Sequence, residues 1–280
     1  NTATVKRSLP HSLYDSMAEL FFNDRRIDGR KTTELRKIDC FFLPGMADGS
    51  VLLQQGNTKV TASVFGPHPC KVRSDESPEQ VYVTCRYNRP PFTSTSGNRQ
   101  KQTSSDRVAA EYSITIEEIF STLIRGSVYP MAQIDIFIEV LQSDGSEFST
   151  AINAASLALA TAGIEMVDFA VASTVGYYGS RLFADLCRYE ENSRITQVTV
   201  VCLPASAAAK TDLAAVEDVT EVGGVPTDET LGARLLHTRL SSWLPSEKLF
   251  SLLRGGIQVA KVVHAELVFN LKKHVKSAER

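Results

Sequence analysis

Three stretches of this 280-residue chain carry side chains whose types and spacing can do chemistry. The first runs from Gln133 to Gly163. Ile134, Ile136, Ile138 and Val140 recur at period two, Asp144-Gly145 breaks the run, and Phe148, Ile152, Ala155 and Leu159 then recur at helical spacing. A strand, a glycine turn and a helix N-terminus together make the local geometry that holds anions, because unpaired N–H groups point outward there. Glu147 in the first turn repels a phosphate and suits the helix dipole instead. Asp144 with Glu147 also fits the D-x-x-E form of a capping box, which is the simpler reading.

The second stretch, Arg86 to Arg107, holds Arg86, Arg89, Arg99, Lys101 and Arg107 against the single acid Asp106, with Tyr87 and Phe92 interleaved. A basic loop with aromatics can follow a phosphate backbone and stack bases without reading sequence. It can equally be a solvated loop. The third is ADLCRYEE, whose acids on their own read as solvated loop acids.

These residues need elements to position them. Ser50–Gln55, the Gly56-Asn57 turn and Lys59–Phe65 read as a hairpin, and Gln80–Arg86 as a further strand. A polar connection runs from Pro67 to Pro78. Ser105–Arg125 is a helix with Val108, Tyr112, Ile116, Ile119 and Leu123 on one stripe, ended by Gly126. The small residues Ala151, Ala154, Ala155, Ser156, Ala158 and Ala160 predict that the helix after Glu147 packs closely on both sides, with Gly163 at its C-terminal cap. Val167–Tyr177 and Arg181–Asp185 follow as strands about Gly179, and the apolar run Gln197–Leu203 suits a sheet centre. Another strand is expected around Thr211–Val216 and a short helix around Leu231–Leu240. Glu247–Lys276 is a long helix that Gly255-Gly256 is expected to loosen. Residues 1–23 read as an arm with a short helix near Ser16–Phe22.

Composition narrows the classes. A net charge of −2 excludes a globally basic nucleic-acid binder, so any such contact needs a local patch. Five scattered cysteines without a C-x-x-C pair read as reduced thiols inside a cell. The five histidines never reach metal-ligand spacing with one another. No apolar run approaches the roughly 20 residues of a membrane span, and the first residues lack the apolar core of a signal peptide. No P-loop, G-x-S-x-G elbow or G-x-G-x-x-G is present. A soluble intracellular protein is expected.

The segments RRIDGRKTTELRKI (25–38) and YPMAQIDIFIEVLQSDGSEFSTAINAASLALATAGIEMVDF (129–169) resemble the ribonuclease-PH-like subunits of the exosome ring. Within them the likeness is to the type that carries catalysis in the archaeal ring. It runs from Arg25 to Pro204 and resumes in the C-terminal helix. The resemblance implies an α+β, ribonuclease-PH-like fold of mixed sheets packed with helices. Residues 24–280 would form that domain, with Arg36–Phe42 as its first strand and an insertion at 223–245.

It also implies phosphorolysis, in which inorganic phosphate attacks the terminal 3′ linkage of RNA. Such a reaction needs a cationic cradle and acids that hold a metal or handle a proton. Active relatives carry Thr-Arg where this chain has Glu147 and Phe148. A second anion-binding arginine falls on Val108, with Arg107 beside it, and an RNA-binding arginine falls on Met131. Asp185 and Glu191, in ADLCRYEE, fall on the two catalytic aspartates, and by that resemblance could hold magnesium if both face one pocket. By resemblance, then, this is a ring subunit that guides single-stranded RNA with Arg86, Arg89, Arg99, Lys101 and Arg107 and has lost the reaction. The alternative is an active phosphate-dependent 3′→5′ exoribonuclease using magnesium and inorganic phosphate. A third possibility is another ring paralogue, of the messenger-RNA-transport or 46 type. Implied partners are other ribonuclease-PH-like ring subunits, S1/KH cap subunits and an associated hydrolytic nuclease, with no membrane. The implied location is nucleus, including nucleolus, and cytoplasm.

Overall fold

Period-two alternation builds the first sheet. In the computed structural model, which describes residues 21–22, 25–70, 81–93, 106–178, 181–193, 195–204 and 233–278, a short antiparallel pair comes first: β1 (Phe21–Phe22) with β2 (Arg25–Arg26). Then follow β3 (Ile38–Phe42), β4 (Gly49–Gln55), β5 (Thr58–Pro69), β6 (Tyr82–Asn88), helix α1 (Arg107–Leu123) and β7 (Ala132–Gln142). The five strands β3 to β7 form one mixed sheet in the order β3-β4-β5-β7-β6, with only β6–β7 parallel. Ile134, Ile136, Ile138 and Val140 line its inner face, as the alternation predicts.

Next come α2 (Glu147–Thr161), β8 (Val171–Tyr178), β9 (Arg181–Ala184), the one-turn α3 (Arg188–Asn192), β10 (Thr196–Pro204), β11 (Ala233–Leu240) and α4 (Ser246–Ala278). The second sheet is antiparallel, in the order β11-β10-β8-β9. Helix α2 lies between the sheets, touching β4 and β5 on one side and β8 on the other. Its small residues make that possible, since a Cβ on Gly49 would stand 2.1 Å from the Ala158 carbonyl oxygen. The Asn153 amide bonds both backbone groups of Ala172, at 3.0 and 2.8 Å. Gly163, at φ 74°, closes the helix with the Ile164 N–H on the Leu159 carbonyl, the expected left-handed cap.

Several expectations are corrected. Leu231–Leu240 is not a helix: residues 233–240 pair along β10, with a bulge between Val201 and Cys202. An open sheet edge outweighs the helical spacing of its leucines. Phe21–Phe22 is strand rather than helix end, and residues 16–20, like Thr211–Val216 and Gly179, lie outside the described residues. Helix α1 stops at Leu123, before Gly126, because Ile124 turns extended and bridges to Met166. Val167 docks on that helix end, its N–H on the Leu123 carbonyl, so β8 starts only at Val171. Gly255-Gly256 does not loosen α4. A Cβ on Gly256 would come 2.7 Å from Val200, so this glycine lets the helix approach the sheet.

Candidate functional site

A cavity of about 420 Å³ opens where the N-terminus of α2 meets the second sheet. Arg89, just past β6, and Tyr112 of α1 line one side. Ser146, Glu147 and Phe148 line the next, Arg188 and Glu191 of α3 the third, and Thr174, Gln197, Thr199 and Arg239 of the second sheet the floor and far wall.

The turn leading into α2 is laced to the segment before α3. A Cβ on Gly145, at φ 87°, would lie 2.6 Å from the Leu186 carbonyl oxygen. Ser146 is left-handed at φ 54°, an unfavourable state for a residue with a side chain. It is held there by its N–H on Glu191 (2.8 Å) and its hydroxyl on the Leu186 carbonyl (2.9 Å). The expected capping box does not form: Ser146 is the N-cap residue, and Asp144 instead accepts from the Asn57 amide at 3.1 Å.

Asp185 does not line this cavity. It is 2% exposed and left-handed, at φ 55°. Arg36 grips it through Nη2 on Oδ1 (2.6 Å), Nε on Oδ2 (2.9 Å) and its own backbone N–H (3.0 Å). Burial pushes this carboxyl up, but the Arg36 guanidinium and its hydrogen bonds outweigh that and hold it below the usual aspartate range. The neighbouring pair, Arg26 with Glu190, is equally buried, with Nε on Oε1 at 2.6 Å. The RRIDGRKTTELRKI segment (25–38) therefore works as a clamp on the segment after β9.

Glu191 does face the cavity, so the structure separates the two acids that resemblance brings together. A shared magnesium site on Asp185 and Glu191 does not fit, because Asp185 is turned away from the cavity with both oxygens bound by Arg36. Among the described residues no cluster of three or more His, Cys, Asp or Glu could hold a metal ion.

The expected phosphate positions are accounted for differently. Phe148 is buried, 4.6 Å from the Tyr112 ring and 6.3 Å from His237. Glu147 lies 3.4 Å from Arg89 and 3.9 Å from Arg188, and accepts from the Ser143 hydroxyl. Burial pushes the Glu147 carboxyl up while the two arginines oppose it, and burial likewise raises Glu191 against the Ser146 N–H. Val108 and Arg107 are exposed at the start of α1 and stay out of the cavity, with Asp106 capping the helix through the Val108 N–H. Arg86 lies over the Phe137 ring, 5.9 Å away, on the outer face of the first sheet. Of the expected basic loop, only Arg89 reaches the cavity among the described residues, and Arg99 and Lys101 lie outside them.

Three lining residues escape sequence reasoning. Arg188 sits inside ADLCRYEE but carries no spacing signal. Arg239, 4.7 Å over the Tyr112 ring and 3.1 Å from Glu111, belongs to the strand expected as a helix. Gln197 presents a buried Oε1 without a hydrogen-bond partner.

A family model described as the 3′ exoribonuclease family, domain 1, of ribonuclease PH type, matches residues 34–165. The mouse exosome complex component RRP41 is 33% identical over 255 residues, covering 90% of this chain and 93% of the mouse protein. The chain belongs to the ribonuclease PH family. Its fold agrees with rice (Oryza sativa) Rrp46, with a TM-score of 0.68 at 23% identity, over 88% of this chain and 100% of that one. It agrees also with a chain of the Archaeoglobus fulgidus exosome with RNA bound to the active site, with a TM-score of 0.64 at 20% identity, over 90% and 96%. The α+β ribonuclease-PH-like architecture is thus as the sequence resemblance implies. Within this ribonuclease PH family member, the clamp formed by Arg26 and Arg36 gives the RRIDGRKTTELRKI segment its physical purpose.

Proposed function

We propose that this chain is a ring subunit of an RNA exosome core that holds and guides single-stranded RNA in 3′→5′ processing and decay, without phosphorolysis of its own. Its similarity to RRP41 components supports the ring role. One observation carries the loss of chemistry: Arg89 faces Glu147 at 3.4 Å and Arg188 lies between Glu147 at 3.9 Å and Glu191 at 3.7 Å, so both arginines nearest the start of α2 face carboxylates of the chain itself. A reaction that must bind a dianion gains nothing from cations already neutralised. In this reading the neighbours are other ribonuclease-PH-like subunits and S1/KH caps, cleavage falls to an associated hydrolytic nuclease, and the particle works in nucleus, nucleolus and cytoplasm.

The test is RNA decay by a reconstituted ring containing this chain, with and without inorganic phosphate and magnesium and with no hydrolytic nuclease present. The expected result is RNA protection and no nucleoside diphosphate. Phosphate-dependent release of nucleoside diphosphates, lost on Arg188→Ala, would establish the second reading, an active exoribonuclease. That reading draws on one observation: Arg89, Arg188 and Arg239 line the same cavity.

A further inference from the structure

The two larger sheets end in four edge strands, β3, β6, β9 and β11. An edge presents unpaired N–H and C=O groups to any passing chain, and folded proteins blunt it. Along β6 the Cys85 N–H donates to the Glu117 carboxylate at 2.8 Å and the Tyr87 N–H to the Ser113 hydroxyl at 3.0 Å, so side chains of α1 replace a missing strand. Strand β9 has four residues, and its Ala184 N–H is taken by the Thr32 carbonyl at 2.9 Å. Strand β3 has five, and Phe42 at its end stacks on His274 of α4. Strand β11 differs. It has eight residues, contains no proline or lysine, and has β10 as its one strand partner among the described residues.

The register shows which groups β11 turns outward. The Ser241 N–H bonds the Gln197 carbonyl, and in an antiparallel pair the hydrogen-bonded residues alternate. Arg239 and His237 therefore point their backbone groups at β10, whereas Thr238 and Leu240 point theirs at the free edge. The bulge at Val201–Cys202 lies beyond His237 and leaves this register intact. Helix α1 reaches the strand through the long Arg239–Glu111 pair, not through backbone pairing. The side chains add a sign. Ala233–Leu240 holds Arg234, His237 and Arg239 and no acid, and Arg234 is exposed with no carboxylate paired to it among the described residues. Leu240, 41% exposed, adds an apolar contact.

We infer that the outer edge of β11 takes an extended acidic segment of a partner protein as a fifth strand of the second sheet. Main-chain hydrogen bonds to Thr238 and Leu240 supply the affinity, and acids beside Arg234 supply the preference. The inference goes beyond the proposed ring role, because the partner is a peptide rather than RNA and binding needs no neighbouring subunit.

Fluorescence anisotropy of the full chain with a labelled peptide alternating glutamate and valine tests it. Saturable binding is expected, about tenfold tighter than for a peptide alternating lysine and valine. Thr238→Pro removes an outward N–H, a change that edge strands tolerate, so near-ultraviolet circular dichroism should stay native while binding is lost. Arg234→Glu should reverse the preference between the two peptides. An acidic peptide N-methylated throughout keeps its side chains but has no backbone donors, and it should fail to bind the unaltered chain. Absence of saturable binding would overturn the inference. So would equal affinity in a folded Thr238→Pro chain, or undiminished binding of the N-methylated peptide. Light scattering covers the remaining occupant: a dimer that Thr238→Pro dissolves would assign the edge to a second copy of this chain and overturn the peptide.

Discussion

At the scale of single residues, two acids of one short segment have opposite fates. Asp185 is bound on both oxygens by Arg36, whereas Glu191 is turned into the cavity. Asp185→Asn leaves a buried guanidinium uncompensated and should cost about 3–5 kcal/mol of stability, read from the shift of the urea midpoint at constant slope. The pH dependence has a definite sign. With the folded carboxyl held low, its contribution is present above the unfolded value near ~3.9 and is lost as pH falls through the folded value. Glu147 and Glu191 are raised, so they act oppositely: their favourable contribution is present below about 4.3 and is lost as pH rises through the folded values. Asp185→Asn should therefore flatten the acid limb of the stability profile, and Glu147→Gln should raise stability on the neutral side relative to the unaltered chain. Chemical denaturation across pH checks both. The family resemblance marked the acids at 185 and 191 but not their directions. Those depend on a left-handed residue at 185 and on an arginine far back in the chain, neither of which leaves a local periodic signal.

At the scale of elements, most strands and all three long helices were legible because a single face of each is buried, which writes a period of two or 3.6 into the residues. The strand Ala233–Leu240 was not. Its burial is partial along its length, so its alternation is weak, and its pairing with β10 is a tertiary fact. The cost of that gap is specific, since Arg239 in the cavity wall could not be placed without the strand. Close approach was legible only as a run of small residues. Gly49→Ala should be destabilising by about 1–3 kcal/mol, because the new methyl meets α2 backbone rather than a flexible side chain. Gly163→Ala, with open space around it but φ at 74°, should cost about 1–2 kcal/mol from backbone strain alone. Thermal melts of the two variants check both costs.

At the scale of the whole molecule, α2 ties the two sheets into one core. Leu157, fully buried in it, should cost about 2–5 kcal/mol as Leu157→Ala, with far-ultraviolet and near-ultraviolet signals lost in one coincident transition. Separate transitions would show that the sheets unfold independently. The order of strands in the first sheet has a consequence for synthesis. Strand β6 occupies an edge and has β7 as its one strand partner among the described residues, its Cys85 and Tyr87 N–H groups donating instead to Glu117 and Ser113 of α1, and β7 is made only after α1. A chain emerging from the ribosome thus carries Val83, Cys85 and Tyr87, all buried in the finished fold, with no template to pair against. Ribosome-stalled nascent chains ending short of Ala132 should be cut by protease at 82–88 and captured by holding chaperones. Chains long enough to expose Gln142 beyond the exit tunnel should resist cutting there.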